Sequence, residues 1–284
     1  MDQWKHRIIK LNLIIRFLQT IGVFFMKKLI LIEGLPGTGK TTIAKWLYNY
    51  LQELGENVTL LLEGDERIPC DFYEMAGIPK KDFEILCSSN DCISDALKEQ
   101  ALQTENYAYL RMDKCPEDIA KQIRRWDMGD EGNKMISVTD YIPCALERLN
   151  YWVCKNIVNS EITIIDSGYL QNPINELLFR KASENEVRSF ISGISHTMEP
   201  LNPICIYMRR NDAEESIAFA KKVKGKEWAH RVENLLIESG CEDLFHRRFV
   251  LEQELLPLTT HLVCKVAGDD WMPVKKLIKD YFTK

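Results

Sequence analysis

No C-x-x-C pair occurs in the 284 residues, and the five histidines form no cluster that could complete a metal site. Both absences exclude the common zinc frameworks. The nine cysteines are Cys70, Cys87, Cys92, Cys115, Cys144, Cys154, Cys205, Cys241 and Cys264. Their number is odd and several sit in apolar runs, so they read as reduced thiols of a cytoplasmic protein. A basic excess is missing too. Thirty-seven Lys and Arg stand against 42 Asp and Glu, for a net charge of -5, which argues against a nucleic-acid partner. No apolar run reads as a membrane span. Residues 1–25, "MDQWKHRIIKLNLIIRFLQTIGVFF", are interrupted by Lys10, Asn12, Arg16 and Gln19. No small-residue cleavage site follows them, so a secretory signal is not expected. Ile8, Leu11, Ile15 and Leu18 recur at helical spacing, while Met26-Lys27-Lys28 resembles a natural start. Two readings of 1–25 therefore stand: an amphipathic helix packed on the domain, or an extension from an upstream start codon.

What is present suffices for one large α/β domain over 26–284. The hydrophobic fraction is 45% and the charged fraction 28%, ordinary values for a globular chain. Residues 34–41 read Gly-Leu-Pro-Gly-Thr-Gly-Lys-Thr, which fits G-x-x-x-x-G-K-[ST]. An apolar run over 28–33 precedes it and predicts a buried strand. Ile43, Leu47, Leu51 and Leu54 follow at helical spacing, and Gly55 supplies a stop. Strand, glycine turn and helix in this order make a phosphate cradle. Gly37 and Gly39 admit phosphate oxygens close to the backbone, and the amides from Gly37 to Thr42 converge at a positive helix end. The expected ligand is ATP with Mg²⁺, held by Gly34, Pro36, Gly37, Thr38, Gly39, Lys40, Thr41 and Thr42. In this pattern the lysine reaches the β- and γ-phosphates and Thr41 ligates Mg²⁺.

Four further apolar runs begin at Val58, Ile162, Ile204 and Leu262. Helical segments between them predict a parallel sheet covered on both faces. Ligands of such sheets bind beyond the carboxyl ends of the strands. Asp166 closes the third run and is expected to share the Mg²⁺ shell with Thr41, or to cap a turn. Ser167 follows it, where ATP-hydrolysing motors commonly carry a water-activating glutamate. Glu63 and Asp65 end the second run and are candidates to orient or deprotonate an acceptor hydroxyl. Asp166 and Lys40 complete the candidate catalytic set. After the fourth run, Lys221, Lys222, Lys224, Lys226 and Arg231 read either as a basic lid hinged at Gly225 or as a solvated helix face.

About a hundred residues separate the second and third runs, too many for a simple connection. They read mostly as helices, Asp95 to Met112, Glu117 to Met128 and Thr139 to Val158, around a loop at 127–134. Residues 70–160 are therefore expected to form a helical cover that binds the acceptor. Arg124-Arg125-Trp126 could clamp an anion there. Tyr107, Tyr109 and Tyr141 fit a core as well as a site.

The pieces "EGLPGTGKTT", "LLLEGDE", "IIDSGYLQNPINELLF", "CIYMRRNDAEESIAFAKK" and "VAGDDWMPVKKLI" together resemble the P-loop kinases, among them thymidylate and deoxynucleoside kinases. The chain also resembles bacterial P-loop proteins with "EGD…P" after the second strand and "LQNP" after the third. The resemblance implies a P-loop fold with five parallel strands in the order 2-3-1-4-5 and a helical insertion after the second. It implies an acceptor role for Glu63, and that Tyr169, Gln171 and Asn172 face the acceptor. Ser167 stands where an arginine is frequent, the lid cations are mostly lysines, and the acceptor motifs of thymidylate kinases are absent. The resemblance thus carries a reaction class, ATP- and Mg²⁺-dependent transfer to a small molecule, without naming the acceptor. A nucleotide-dependent switch or regulatory ATPase is the alternative. A guanine reader is not expected, because "NKMI" at 133–136 has no aspartate.

Overall fold

The structure, a computed structural model, describes residues 28–129, 136–158 and 161–282. Residues 1–25 and the loop positions 130–134 lie outside them, so neither reading of the N-terminus is tested.

Strand β1 (Leu29–Glu33) is fully buried. Its side chains alternate between two cores: Leu29 and Leu31 pack on one face, Ile30 and Ile32 on the other. A strand apolar on both faces needs cover on both, and the chain supplies it. Helices α1 (Lys40–Glu53) and α10 (Met272–Phe282) give Ile43, Leu47, Val274 and Ile278 to one core. Helices α5 (Val138–Asn156), α6 (Gln171–Phe179), α7 (Glu184–Met198) and α9 (Leu244–Leu255) fill the other, with Leu149, Leu177, Ile191 and Leu251 among them.

Four strands join β1 in the main sheet: β2 (Val58–Leu61), β6 (Ile162–Asp166), β7 (Ile204–Arg209) and β8 (Thr260–Lys265). All pairings are parallel and the order is β2-β6-β1-β7-β8. This numbering departs from the expected 2-3-1-4-5 because the connection after β2 carries three strands of its own. They are β3 (Met75–Pro79), β4 (Leu102–Gln103) and β5 (Tyr107–Arg111), an antiparallel sheet of order β3-β5-β4.

The insertion at 70–160 is therefore mixed and not a helical cover. The helix expected over Asp95 to Met112 ends early. Helix α3 (Ser94–Gln100) stops at Ala101, whose ψ of 128° is extended. Tyr107, a residue type at home in strands, then starts β5. With α2 (Lys80–Ser88) and α4 (Glu117–Ile123), this sheet encloses a separate small core around Ile78, Phe83, Leu110 and Ile119. Helix α8 (Ala213–Ser239) follows β7 and breaks at Gly225, where φ is 85° and ψ 178°. No helix among the described residues is long and apolar enough to cross a membrane.

Candidate active site

Between β1 and α1 the glycine turn occupies the carboxyl end of the central strand. Gly37 and Gly39 take φ of 81° and 84°, a region that a Cβ disfavours. Space is as strict as torsion. A Cβ on Gly37 would come within 2.4 Å of the Ser216 carbonyl oxygen, and one on Gly39 within 2.1 Å of the Trp271 ring. Helix α8 and Trp271 thus close the outer side of the turn. Within it, Thr38 donates its hydroxyl to the Leu35 carbonyl at 2.8 Å. Pro36 is half-buried beside it, and Gly34 takes φ of 137°. Helix α1 begins with no side-chain cap and no acidic residue in its first turn. No side chain among the described residues caps its leading amides, which carry the positive end of the helix. Thr41 and Thr42 are exposed at that end.

Lys40 is 7% exposed. Its ammonium donates to the Gly34 carbonyl at 3.0 Å and the Leu35 carbonyl at 3.3 Å. Burial lowers its pKa, while the charges of Asp166 and Glu63 act in the other direction. Asp166 ends β6 fully buried and accepts from the Thr41 hydroxyl at 2.6 Å and the Ser167 hydroxyl at 3.0 Å. Burial raises its pKa, opposed first by Lys40. Lys40, Thr41 and Asp166 therefore meet across 125 residues of chain. The Thr41 hydroxyl and Asp166 carboxylate are hard oxygen donors that suit a divalent cation such as Mg²⁺.

Glu63 is exposed and accepts from the Gln171 side chain at 2.7 Å. It borders a cavity of about 290 Å³ between the β2–β3 connection and α6. Asn172 lines the same cavity. The other expected acceptor residues are placed differently. Asp65 is engaged by Arg67 of its own turn through two bonds, at 2.9 and 2.7 Å, and does not line the cavity. That hydrogen-bonded pair lowers its pKa. Tyr169 is a core residue whose hydroxyl pairs with that of Ser195 at 2.6 Å. Tyr109 and Tyr141 are likewise buried, and Arg125 stacks on Trp126 at 3.8 Å within the insertion. The expected lid cations Lys221, Lys222, Lys224, Lys226 and Arg231 are all exposed.

Three buried ionic residues around the turn have no role in the sequence reading. Arg210, just after β7, donates to the Gly37 carbonyl at 3.1 Å and the Gly268 carbonyl at 2.8 Å, tying the turn to the loop after β8. Glu33 accepts the Tyr169 amide at 2.6 Å and the Gln171 amide at 3.0 Å, which fixes the chain after β6. Burial raises its pKa to about 7. Arg248 on α9 pairs with Glu252 at 2.6 Å, reaches the Gly34 carbonyl at 3.4 Å and meets Asn175 at 3.2 Å. Tyr207 donates to the same Glu252 at 2.8 Å. The i, i+4 spacing of Arg248 and Glu252 was the one available signal, and it equally describes a surface pair.

Comparison with protein-family models gave no match, and comparison with curated proteins gave none either.

Proposed function

We propose that this protein is an ATP- and Mg²⁺-dependent phosphotransferase of the P-loop kinase type, acting on a small-molecule acceptor. One observation carries the reading: Lys40, Thr41 and Asp166 converge at an uncapped helix start, at the carboxyl edge of a parallel sheet. The sheet's own strands, counted in chain order, run second, third, first, fourth, fifth, which supports the same reading.

Each side chain has a definite task in this scheme. The first-turn amides of α1 and the Lys40 ammonium bind the phosphate chain. To do so the lysine exchanges its bonds to the Gly34 and Leu35 carbonyls for phosphate oxygens. Thr41 and Asp166 would hold Mg²⁺, which when bound neutralises charge on the phosphates. Glu63, oriented by Gln171, accepts the proton of the acceptor hydroxyl. The hydroxyl oxygen forms a bond to the γ-phosphorus, the bond from that phosphorus to the β-phosphate oxygen breaks, and ADP leaves. Ser167 spends its hydroxyl on Asp166 and offers no carboxylate to activate water, which favours transfer over hydrolysis.

The test is a titration with a fluorescent ATP analogue, followed by ADP release with and without candidate acceptors. Lys40→Ala is expected to weaken nucleotide binding at least tenfold, roughly the loss of one charge-assisted phosphate contact. Wild-type turnover is expected to be slow alone and to rise with an acceptor. Unaltered binding in Lys40→Ala refutes the assignment. Rapid acceptor-free hydrolysis favours a regulatory ATPase.

A further inference from the structure

The cavity beside Glu63 has a one-sided charge. Three carboxylates line it: Glu63 and Asp71 from the β2–β3 connection, and Glu176 from α6. Two carboxamides, Asn172 and Asn175, stand one helical turn apart along the same side. The exposed ring of Tyr73 borders it. No lysine, arginine or histidine is among the described residues that line it.

The carboxylates are not equally answered. Glu176 pairs with Arg180 at 2.5 Å, which offsets its charge. Glu63 is met by the neutral Gln171 side chain. Among the described residues the Asp71 carboxylate accepts from backbone amides, those of Gly64 at 2.9 Å and Tyr73 at 3.2 Å. Arg148 lies near Asp71, but its guanidinium donates to the carbonyls of Pro69, Asp71 and Glu66 and faces a different cavity. Burial raises the pKa of Asp71, and the Gly64 and Tyr73 amides oppose it. The charges of Glu63 and Arg148 act in opposite directions, Glu63 raising it and Arg148 lowering it, so the two carboxylates sense one another.

A phosphate-bearing acceptor requires arginine or lysine forks where its own phosphate docks. Among the described residues this lining offers such a group no guanidinium or ammonium, only neutral donors such as the carboxamide N–H groups beside three carboxylates that repel it. It suits the opposite ligand, one whose ammonium groups meet carboxylates and whose hydroxyls meet carboxamides. We infer that the acceptor of this site is a polyhydroxylated amine, such as an aminated sugar or aminocyclitol, and not a nucleotide or sugar phosphate. The inference rests on the phosphotransfer reading above. The hydroxyl phosphorylated is the one that reaches Glu63, and its proton passes to that carboxylate. Asp71 holds an ammonium group of the same molecule, and the ring of Tyr73 packs on its apolar face.

The experiment measures ADP release by the full chain with Mg²⁺ and ATP, using four probes at equal concentration. Kanamycin carries several ammonium groups, glucose and thymidine are neutral, and thymidine monophosphate is anionic. Kanamycin is expected to raise the rate above the acceptor-free value, and thymidine monophosphate to leave it unchanged. The half-exposed Asn172 makes no side-chain hydrogen bond to the described residues, so Asn172→Lys is expected to fold normally. It should raise KM for kanamycin about tenfold, since a like charge at the mouth repels the ligand, and leave the affinity for the ATP analogue unaltered. Asp71→Asn should raise the same KM. Stimulation by thymidine monophosphate, or no stimulation by kanamycin in a protein that binds ATP, overturns this inference and leaves the nucleotide assignment standing. Loss of ATP binding in the wild type removes the nucleotide assignment itself.

Discussion

Glu33 sets the chemistry of single residues in sharpest relief. It ends an otherwise apolar strand, fully buried, with a backbone amide on each carboxylate oxygen. Those bonds favour the anion, yet desolvation outweighs them and Glu252 adds to it, raising the pKa from 4.5 to about 7. A raised carboxyl binds its proton more tightly in the folded chain than in the unfolded one. Its stabilising contribution is complete below pH 4.5 and is lost as pH rises through about 7. Urea unfolding midpoints should therefore fall across that window for the wild type, and Glu33→Gln should flatten the fall. Equal slopes for both proteins would refute the placement of a buried titrating group there. Lys40 and Asp166 belong to the same class of burial. Each is pushed toward its neutral form by desolvation and drawn back by the other's charge.

Among the elements, α8 departs furthest from regularity. Gly225 interrupts it at φ 85° and ψ 178°, a conformation nearly exclusive to glycine. A Cβ there would meet nothing within 4 Å, so the glycine is required by torsion alone. Gly225→Ala should cost roughly 1–3 kcal/mol of stability, the strain of holding an L residue in that region. Chemical denaturation reads that value directly, and a loss within error of zero would mean that the break is not held in solution. The arm before the break packs on the glycine turn, through Ser216 and Ala220 against Gly37. The two arms with the start of α9 enclose an apolar groove that includes Trp228 and Phe245.

Over the full chain, the buried pair Arg248–Glu252 links layers that are distant in sequence. It joins α9 to Tyr207 of β7, to Asn175 of α6 and to the first carbonyl of the glycine turn. Both side chains are 1% exposed or less. Arg248→Ala leaves the carboxylate uncompensated and should destabilise the protein by about 3–5 kcal/mol. The double variant Arg248→Met with Glu252→Leu should cost less than the single one, because it removes both charges. Thermal and urea unfolding of the three proteins distinguish the cases. A double variant less stable than Arg248→Ala would mean that the pair's value lies in the contacts it makes and not in its charge balance.

The central strands β1, β6 and β7 were legible as short apolar runs, because a strand buried on both faces has no polar alternation to hide it, whereas the edge strand β8 is largely exposed. The turn at 34–41 was legible because a lysine and three glycines at fixed spacing leave little local choice. The insertion was not. Asp95 to Met112 reads as helix by composition, and its conversion to α3, β4 and β5 depends on pairing with Met75–Pro79, a partner about thirty residues away. Nor was the fate of polar residues at the strand ends. Glu63 and Asp65 are two positions apart in one acidic turn, yet one borders a cavity and the other is taken by Arg67. Local pattern fixes which backbone segments extend or coil. Which side chains meet is set by long-range packing, since desolvation and charge pairing act through distance in space and are blind to distance along the chain.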